Sequence, residues 1–251
     1  AVTSTRAVDD YVLRPRNIDF DAGRSGDTIT FVAKKPGKIV LTVNSPTLYP
    51  LFIIFNPPEE SPPREGDANV RYFGPGIHDL NEEIRFNSNE TIYIAGGAIL
   101  RNVNFISNGQ TTNSAIRGRG IIDMSTRAKM PLYAWKCSNL LVEGITVLND
   151  NDRWHLVFDE CQDVTVKNVN LIAGWGVDPE ANDGIDPMHC RNVTIDNCLI
   201  KNGDDGVSIK GRCSGQRVRN CFFWTHWAHA MMLGPWNNET STDIQFINND
   251  V

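Results

Sequence analysis

Four stretches of this chain repeat one pattern: Lys136-Cys-Ser-Asn-Leu-Leu-Val-Glu-Gly-Ile-Thr-Val, Glu160-Cys-Gln-Asp-Val-Thr-Val-Lys-Asn-Val-Asn-Leu, His189-Cys-Arg-Asn-Val-Thr-Ile-Asp-Asn-Cys-Leu-Ile and Arg212-Cys-Ser-Gly-Gln-Arg-Val-Arg-Asn-Cys-Phe-Phe. Each carries Cys at its second position and alternating aliphatic residues after it. Cys137, Cys161, Cys190 and Cys213 are spaced by 24, 29 and 23 residues, a period in the low twenties with one insertion. That period is too short for a propeller blade or a helical hairpin, and the Leu-x-x-Leu-x-Leu frame of a leucine-rich repeat is missing. A strand-turn-strand coil fits. One coil cannot bury its own apolar side chains, so coils stack into a parallel β-helix. Glu90-Thr-Ile-Tyr-Ile-Ala-Gly-Gly-Ala-Ile-Leu and Ser114-Ala-Ile-Arg-Gly-Arg-Gly-Ile-Ile read as earlier coils. Asp243 to Val251 opens another and stops inside it. An uncovered coil exposes a strand edge and a core, so we expect this chain to be a piece of a longer protein, or to meet a partner chain that continues the stack.

The 25 Asn outnumber the 24 Lys and Arg together. Asn favours turns and tolerates left-handed backbone, so an all-β chain of short strands and tight turns is expected. Residues 1–68 lack the repeat. Thr28-Ile-Thr-Phe-Val, Lys38-Ile-Val-Leu-Thr-Val and Leu51-Phe-Ile-Ile-Phe read as strands of a small β-sandwich-like domain. The Pro-rich run from Asn56 to Gly66 cannot sit inside a sheet and serves as the linker. Residues 69–251 form the expected β-helix. Apolar runs of about five residues are far below the roughly 20 needed for a membrane-spanning helix. A net charge of −6 without a Lys/Arg block gives no footprint for nucleic acid.

Repeat-equivalent cysteines on adjacent coils would lie about 4.8 Å apart. That distance allows a disulfide as well as a ladder of buried thiols, and the ladder is the favoured expectation. No pair has the close spacing of a structural zinc site. Acceptor sequons at Asn89, Asn192 and Asn238 are compatible with secretion.

Acidic residues concentrate in Asn182-Asp-Gly-Ile-Asp-Pro and Asn202-Gly-Asp-Asp-Gly-Val-Ser-Ile-Lys210, with His226 and His229 shortly after. The 21 residues from Asp183 to Asp204 amount to about one coil, so these carboxylates are expected to stack on one face. Taken singly, Asp183 or Asp186 is an ordinary turn residue. Three carboxylates held together resist simultaneous ionisation, which raises at least one pKa into the range of a general acid.

These motifs resemble the signature of glycoside hydrolase family 28, the polygalacturonases and their relatives. His229-Ala-Met-Met-Leu-Gly-Pro is similar to that family's His-Gly-x-Ser-x-Gly-Ser segment, and Tyr72-Phe-Gly-Pro-Gly-Ile-His resembles a first coil in members with an N-terminal β-sandwich. The resemblance implies a right-handed parallel β-helix and an inverting hydrolase of a polysaccharide, most simply a pectic one, secreted or periplasmic, with no cofactor and no metal. It implies Asp204 as the general acid, Asp183 and Asp205 as activators of water, and His229 as the residue that tunes or orients the acid. Asn182, Lys210 and His155 fall at substrate-binding positions, while His226 has no counterpart. One or two of Trp154, Trp175, Trp224, Trp227 and Trp236 are expected to stack on sugar faces. The chain departs from the family at Ala181, Gly206, Ala230, Met232 and Pro235, and the Arg-x-Lys pair that holds an acidic sugar would fall beyond Val251. Competing expectations are a dextranase-like α-glucan hydrolase, a β-helix lyase whose Asp residues hold Ca²⁺, and a carbohydrate-binding β-helix with a vestigial acidic cluster.

Overall fold

The computed structural model describes residues 1–15, 20–45, 50–126, 129–149, 152–173, 182–234 and 239–251. The chain divides into two compact units, Ala1–Glu59 and Glu60–Val251. The division falls inside the Pro-rich run rather than near residue 68, because the run from Glu60 onward already belongs with the coils; the carbonyl of Glu60 accepts from Arg117 Nη2 at 2.8 Å.

The first unit holds two three-stranded antiparallel sheets. Its small core gathers Val8, Ile29 and Leu41, with Tyr11, Leu13 and Ile53 packed against it. The second unit is a parallel β-helix. Its first sheet has eight strands, from Val70–Phe73 to Thr242–Ile247. The second sheet runs over seven strands from Gly76–Asp79 to Phe222–Thr225, and the third over seven from Glu83–Phe86 to Met231–Gly234. Every strand pairs in parallel with the equivalent strand one coil away, so a residue's column is fixed by register. No helix among the described residues is long and apolar enough to cross a membrane.

Alternation decides which residues face inward. In the third sheet, Leu132, Leu156, Ile185 and Val207 form one buried column, and Phe86, Ala134, Phe158 and Ile209 lie in another two residues on. The corners depend on Asn. Asn113, Asn139, Asp163, Asn192 and Asp243 share one turn column at φ between 53° and 56°, a left-handed region where a short polar side chain is tolerated. Their amides also bond up the stack, Asn139 Nδ2 to Asn113 Oδ1 at 2.8 Å and Asn192 Nδ2 to Asp163 Oδ1 at 2.9 Å.

All six cysteines are free, buried thiols. The Cys161 thiol donates to the Ala134 carbonyl at 3.3 Å, and its Sγ accepts from the Cys137 N–H at 3.3 Å. Cys190 and Cys213 repeat the latter contact at the same distance. Cys thus serves as a small apolar corner residue that still satisfies strand-end backbone groups.

Candidate active site

The acidic residues lie at the corner that leads into the third sheet. Pairing of Leu156, Ile185, Val207 and Met231 on successive coils fixes the register. The position two residues ahead of each is therefore Trp154, Asp183, Asp205 and His229. The stacked pair is Asp183 on Asp205, with Asp204 one residue earlier, so the expected stacking of Asp183 on Asp204 is out by one position. Main-chain bonds hold this register: Gly184 N–H to the Asp205 carbonyl and Gly206 N–H to the His229 carbonyl, both at 2.8 Å.

The two glycines are required by close approach. A Cβ on Gly184 would lie 2.4 Å from the Gly206 carbonyl oxygen, and one on Gly206 would lie 2.5 Å from the Ala230 oxygen and 2.7 Å from the Phe223 ring. Buried Phe223 fills the space that a side chain at position 206 would need, which accounts for the departure at Gly206.

Buried amides shape the acidic turn. Asn182 Oδ1 accepts from the N–H groups of Gly203 and Asp204 at 2.8 and 3.0 Å. Asn202 Nδ2 donates to the carbonyls of Asn182, Asp204 and Asp205 at 3.1, 3.0 and 2.8 Å. Asn182, expected at the substrate, is fully buried and holds the turn that carries Asp204 and Asp205. Asn202 has the matching task on the next coil. Its only sequence signal was its position ahead of Gly-Asp-Asp, which also reads as ordinary turn chemistry.

One carboxylate oxygen from each of Asp183, Asp204 and Asp205 lies within 4.8 Å of the others. Their surroundings differ. Asp183 Oδ2 accepts from Lys210 Nζ at 2.5 Å, and the same ammonium reaches Asp186 Oδ1 at 2.8 Å. Lys210 is buried with the Trp154 ring over it, 3.6 Å from ammonium to ring centroid. It was expected at the substrate; it is instead an internal counter-ion, because it lies within the strand Val207–Lys210 with both carboxylates beside it. Burial alone would lower its pKa, but Asp186 and Asp183 together raise it. Asp186, fully buried, is pushed well above the ordinary carboxylate range by burial and by Asp183, against the pull of Lys210.

Asp205 Oδ1 accepts from His229 Nδ1 at 2.9 Å and from the His229 N–H at 3.1 Å. His229 therefore engages Asp205 and not Asp204, the carboxyl it was expected to orient. Asp204 is half-buried, and its Oδ1 accepts the Asp205 N–H at 3.0 Å. Burial raises its pKa, and the charges of Asp183 and Asp205 raise it further.

His155, the third expected substrate contact, is fully buried. Its Nδ1 donates to the Asp183 carbonyl at 2.7 Å, and burial pulls its pKa down to about 4. A neutral His bonded to that carbonyl supports the turn that carries Asp183 from within. Of the tryptophans, Trp227 is 69% exposed, with its N–H donating to the Gly203 carbonyl at 2.8 Å beside the acidic turn. His226 meets the Trp227 ring edge-on, with ring centroids 5.5 Å apart. Trp175, Trp236, Ala181, Pro235 and the Asn238 sequon lie outside the described residues.

Three converging carboxylate oxygens have the spacing of a cation site as well as of an acid-base cluster. Lys210 already supplies positive charge at Asp183. Two carboxylates with cationic or imidazole partners beside a third facing like charge form an asymmetric set, suited to holding water at one edge and giving up a proton at the other.

The family described as glycosyl hydrolases family 28 matches residues 81–248. A probable exopolygalacturonase B of Neosartorya fischeri is 27% identical over 150 residues, 58% of this chain and 31% of that protein. A polygalacturonase of Persea americana is 34% identical over 77 residues, 30% of this chain and 15% of its own length. The matched part therefore spans less than a third of these relatives. A "putative glycosyl hydrolase" of Parabacteroides merdae has a similar fold, with TM-score 0.50 and 20% identity over 62% of this chain and 79% of that one.

Proposed function

This chain belongs to glycosyl hydrolase family 28, and on that premise we propose that it forms part of an inverting hydrolase of a pectic polysaccharide backbone. The observation that carries the reading is the asymmetry among three carboxylates within 4.8 Å of one another: Lys210 stands at Asp183, His229 at Asp205, and Asp204 faces like charge. Asp204, whose pKa is raised by burial and by the charges of Asp183 and Asp205, gives its proton to the departing glycosidic oxygen. Asp183, paired with Lys210, and Asp205, paired with His229, hold a water between them. A water with two hydrogen bonds of about 2.7 Å spans oxygens roughly 5 Å apart, which fits this spacing. As that water attacks the anomeric carbon, its proton passes to the Asp183–Asp205 pair and the glycosidic bond breaks toward Asp204.

The acid-base separation is tighter than the 6.5–9.5 Å common for inverting pairs and nearer the roughly 5–5.5 Å of retaining ones. The anomeric outcome is therefore the sharp test. Proton NMR of fresh cleavage products should show the inverted anomer first; initial release of the retained anomer would overturn the assignment of water to Asp183 and Asp205. Hydrolysis should also yield reducing ends without ultraviolet-absorbing products and should survive chelator, whereas a Ca²⁺-dependent lyase would give the opposite result on both counts. Relatives described as polygalacturonases support the pectic reading. Such a polymer lies outside the cytoplasm, so a secreted or periplasmic location goes with it.

A further inference from the structure

We propose that Asp186 is a positioning residue for the cleavage step, acting through Lys210: its buried carboxyl pins the Lys210 ammonium at the acidic corner, and the ammonium in turn orients the Asp183 carboxyl beside the attacking water. The inference rests on the hydrolase reading above and gives a task to a buried group which that reading leaves unused.

Register shows why Lys210 needs a pin. Ile185 pairs with Val207 and Met188 with Lys210, so the Lys210 backbone lies at the end of its strand away from the acidic corner. Its side chain must run back along the sheet to reach Asp183 Oδ2, at 2.5 Å. There the ammonium also meets Asp186 Oδ1 at 2.8 Å, and the Trp154 ring covers it, 3.6 Å from ammonium to ring centroid. A lysine head sits on a flexible four-carbon stem and swings unless it is held. Here two carboxyl oxygens take donors of the ammonium, and an aromatic face closes a third side. Among the described residues Lys210 bonds to neither Asp204 nor Asp205, so its hold on the corner passes through Asp183.

Asp186 is a costly residue to place there. It is fully buried, and its Oδ2 has no partner among the described residues. The sheet does not require a carboxyl at this position, since the paired residue one coil before is Val157, also buried. An apolar side chain would serve packing at least as well. Burial and Asp183 raise the Asp186 pKa well above the ordinary carboxylate range, against the pull of Lys210. A protonated Asp186 still accepts at Oδ1, so it fixes the ammonium in place without drawing its charge away from Asp183.

The experiment is steady-state kinetics of the full-length enzyme on polygalacturonate, read as reducing ends, beside a thermal melt of each variant. Asp186→Val copies the residue of the coil before. It should lower kcat roughly tenfold, leave KM within about twofold and melt no lower than wild type, because it deletes a buried carboxyl with one oxygen unpaired. Asp186→Asn, which keeps an acceptor oxygen and carries no charge, should recover most of the lost kcat. Lys210→Met should lower kcat roughly a hundredfold, and adding Asp186→Val to it should cost less than about twofold more. Full multiplication of the two losses would overturn the route through Lys210. Asp186→Val with wild-type kcat or with a melt far below wild type, or no recovery in Asp186→Asn, would overturn the inference and leave the hydrolase reading intact. A wild-type enzyme that releases no reducing ends from polygalacturonate would remove the pectic hydrolase reading, and this inference with it.

Discussion

The cysteine corner and the acidic corner lie on the same coils, yet they treat polar groups in opposite ways. At the cysteine corner four successive coils repeat a small thiol, each donating to a carbonyl, and Cys161 and Cys213 also accept the N–H of the cysteine one coil before. The neighbouring Asn column passes amide bonds from coil to coil. Stacking identical residues stabilises there, because each is both donor and acceptor. The acidic corner stacks groups that only accept when ionised, so the same geometry produces repulsion. It is maintained by Lys210, His229, two buried amides and two glycines with no room for a side chain. Asn182 Nδ2, Asn202 Oδ1 and Asp186 Oδ2 have no partner among the described residues. Unpaired buried groups of this kind are where stability is given up for function.

Removing the repulsion should separate the two corners most clearly. Asp204→Asn should lower kcat about a thousandfold in an active full-length enzyme while raising the melting temperature by roughly 1–3 °C, since it deletes one of three opposed charges. A stabilised variant with unchanged kcat would remove Asp204 from the role of acid. Gly206→Ala should destabilise by about 3 kcal/mol in chemical denaturation, because its Cβ meets a main-chain oxygen and the Phe223 ring. At the ladder corner the same experiment should give a mild result. Asn113→Ala at φ 56° should cost about 1 kcal/mol and Asn113→Gly close to nothing. Equal losses at Gly206 and Asn113 would erase the contrast.

The smallest effect concerns pH. The native state raises the pKa of Asp204 and so binds its proton more tightly than the unfolded chain does. Its contribution is present at low pH and is lost as pH rises through the unfolded and then the folded pKa. The stability advantage of Asp204→Asn should therefore widen from about pH 4 to about pH 7, by less than about 1 kcal/mol because the group is partly solvated. A gap that narrows over that range would contradict the like-charge origin of the shift. Turnover should fall over the same alkaline limb as Asp204 loses its proton.

The β-helix was legible because period-2 alternation recurs from coil to coil and the Cys spacing marks four of them, and because Asn marks corners where only a few residues tolerate positive φ. Asp183, Asp204 and Asp205 were legible as a set for the same reason. Their register was not. Counting 21 residues aligned Asp183 with Asp204, but coils of unequal length shift the count, and only strand pairing shows that Asp205 is the stacked residue. The burial of Lys210, at the end of a strand, was hidden because the sequence does not show the two carboxylates stacked beside it, and that of Asn182 and His155 was hidden by their place at the corner. At a corner no alternation separates inside from outside, so a polar residue near the motif reads as a ligand contact even when it bonds to the backbone behind it.

The buried thiols have a use beyond packing. Burial pushes the Cys221 thiol well above its ordinary range, and Cys161, lowered by its hydrogen bond with Cys137 but raised by the one with Cys190 and by burial, rises to about 12. A thiol that does not ionise does not react with alkylating reagents. All six cysteines are also buried, so each becomes a clock that starts only when its own coil opens. Mass spectrometry of timed alkylation would then rank Cys137, Cys161, Cys190, Cys198, Cys213 and Cys221 by the order in which the solenoid unwinds, with no label added to the protein.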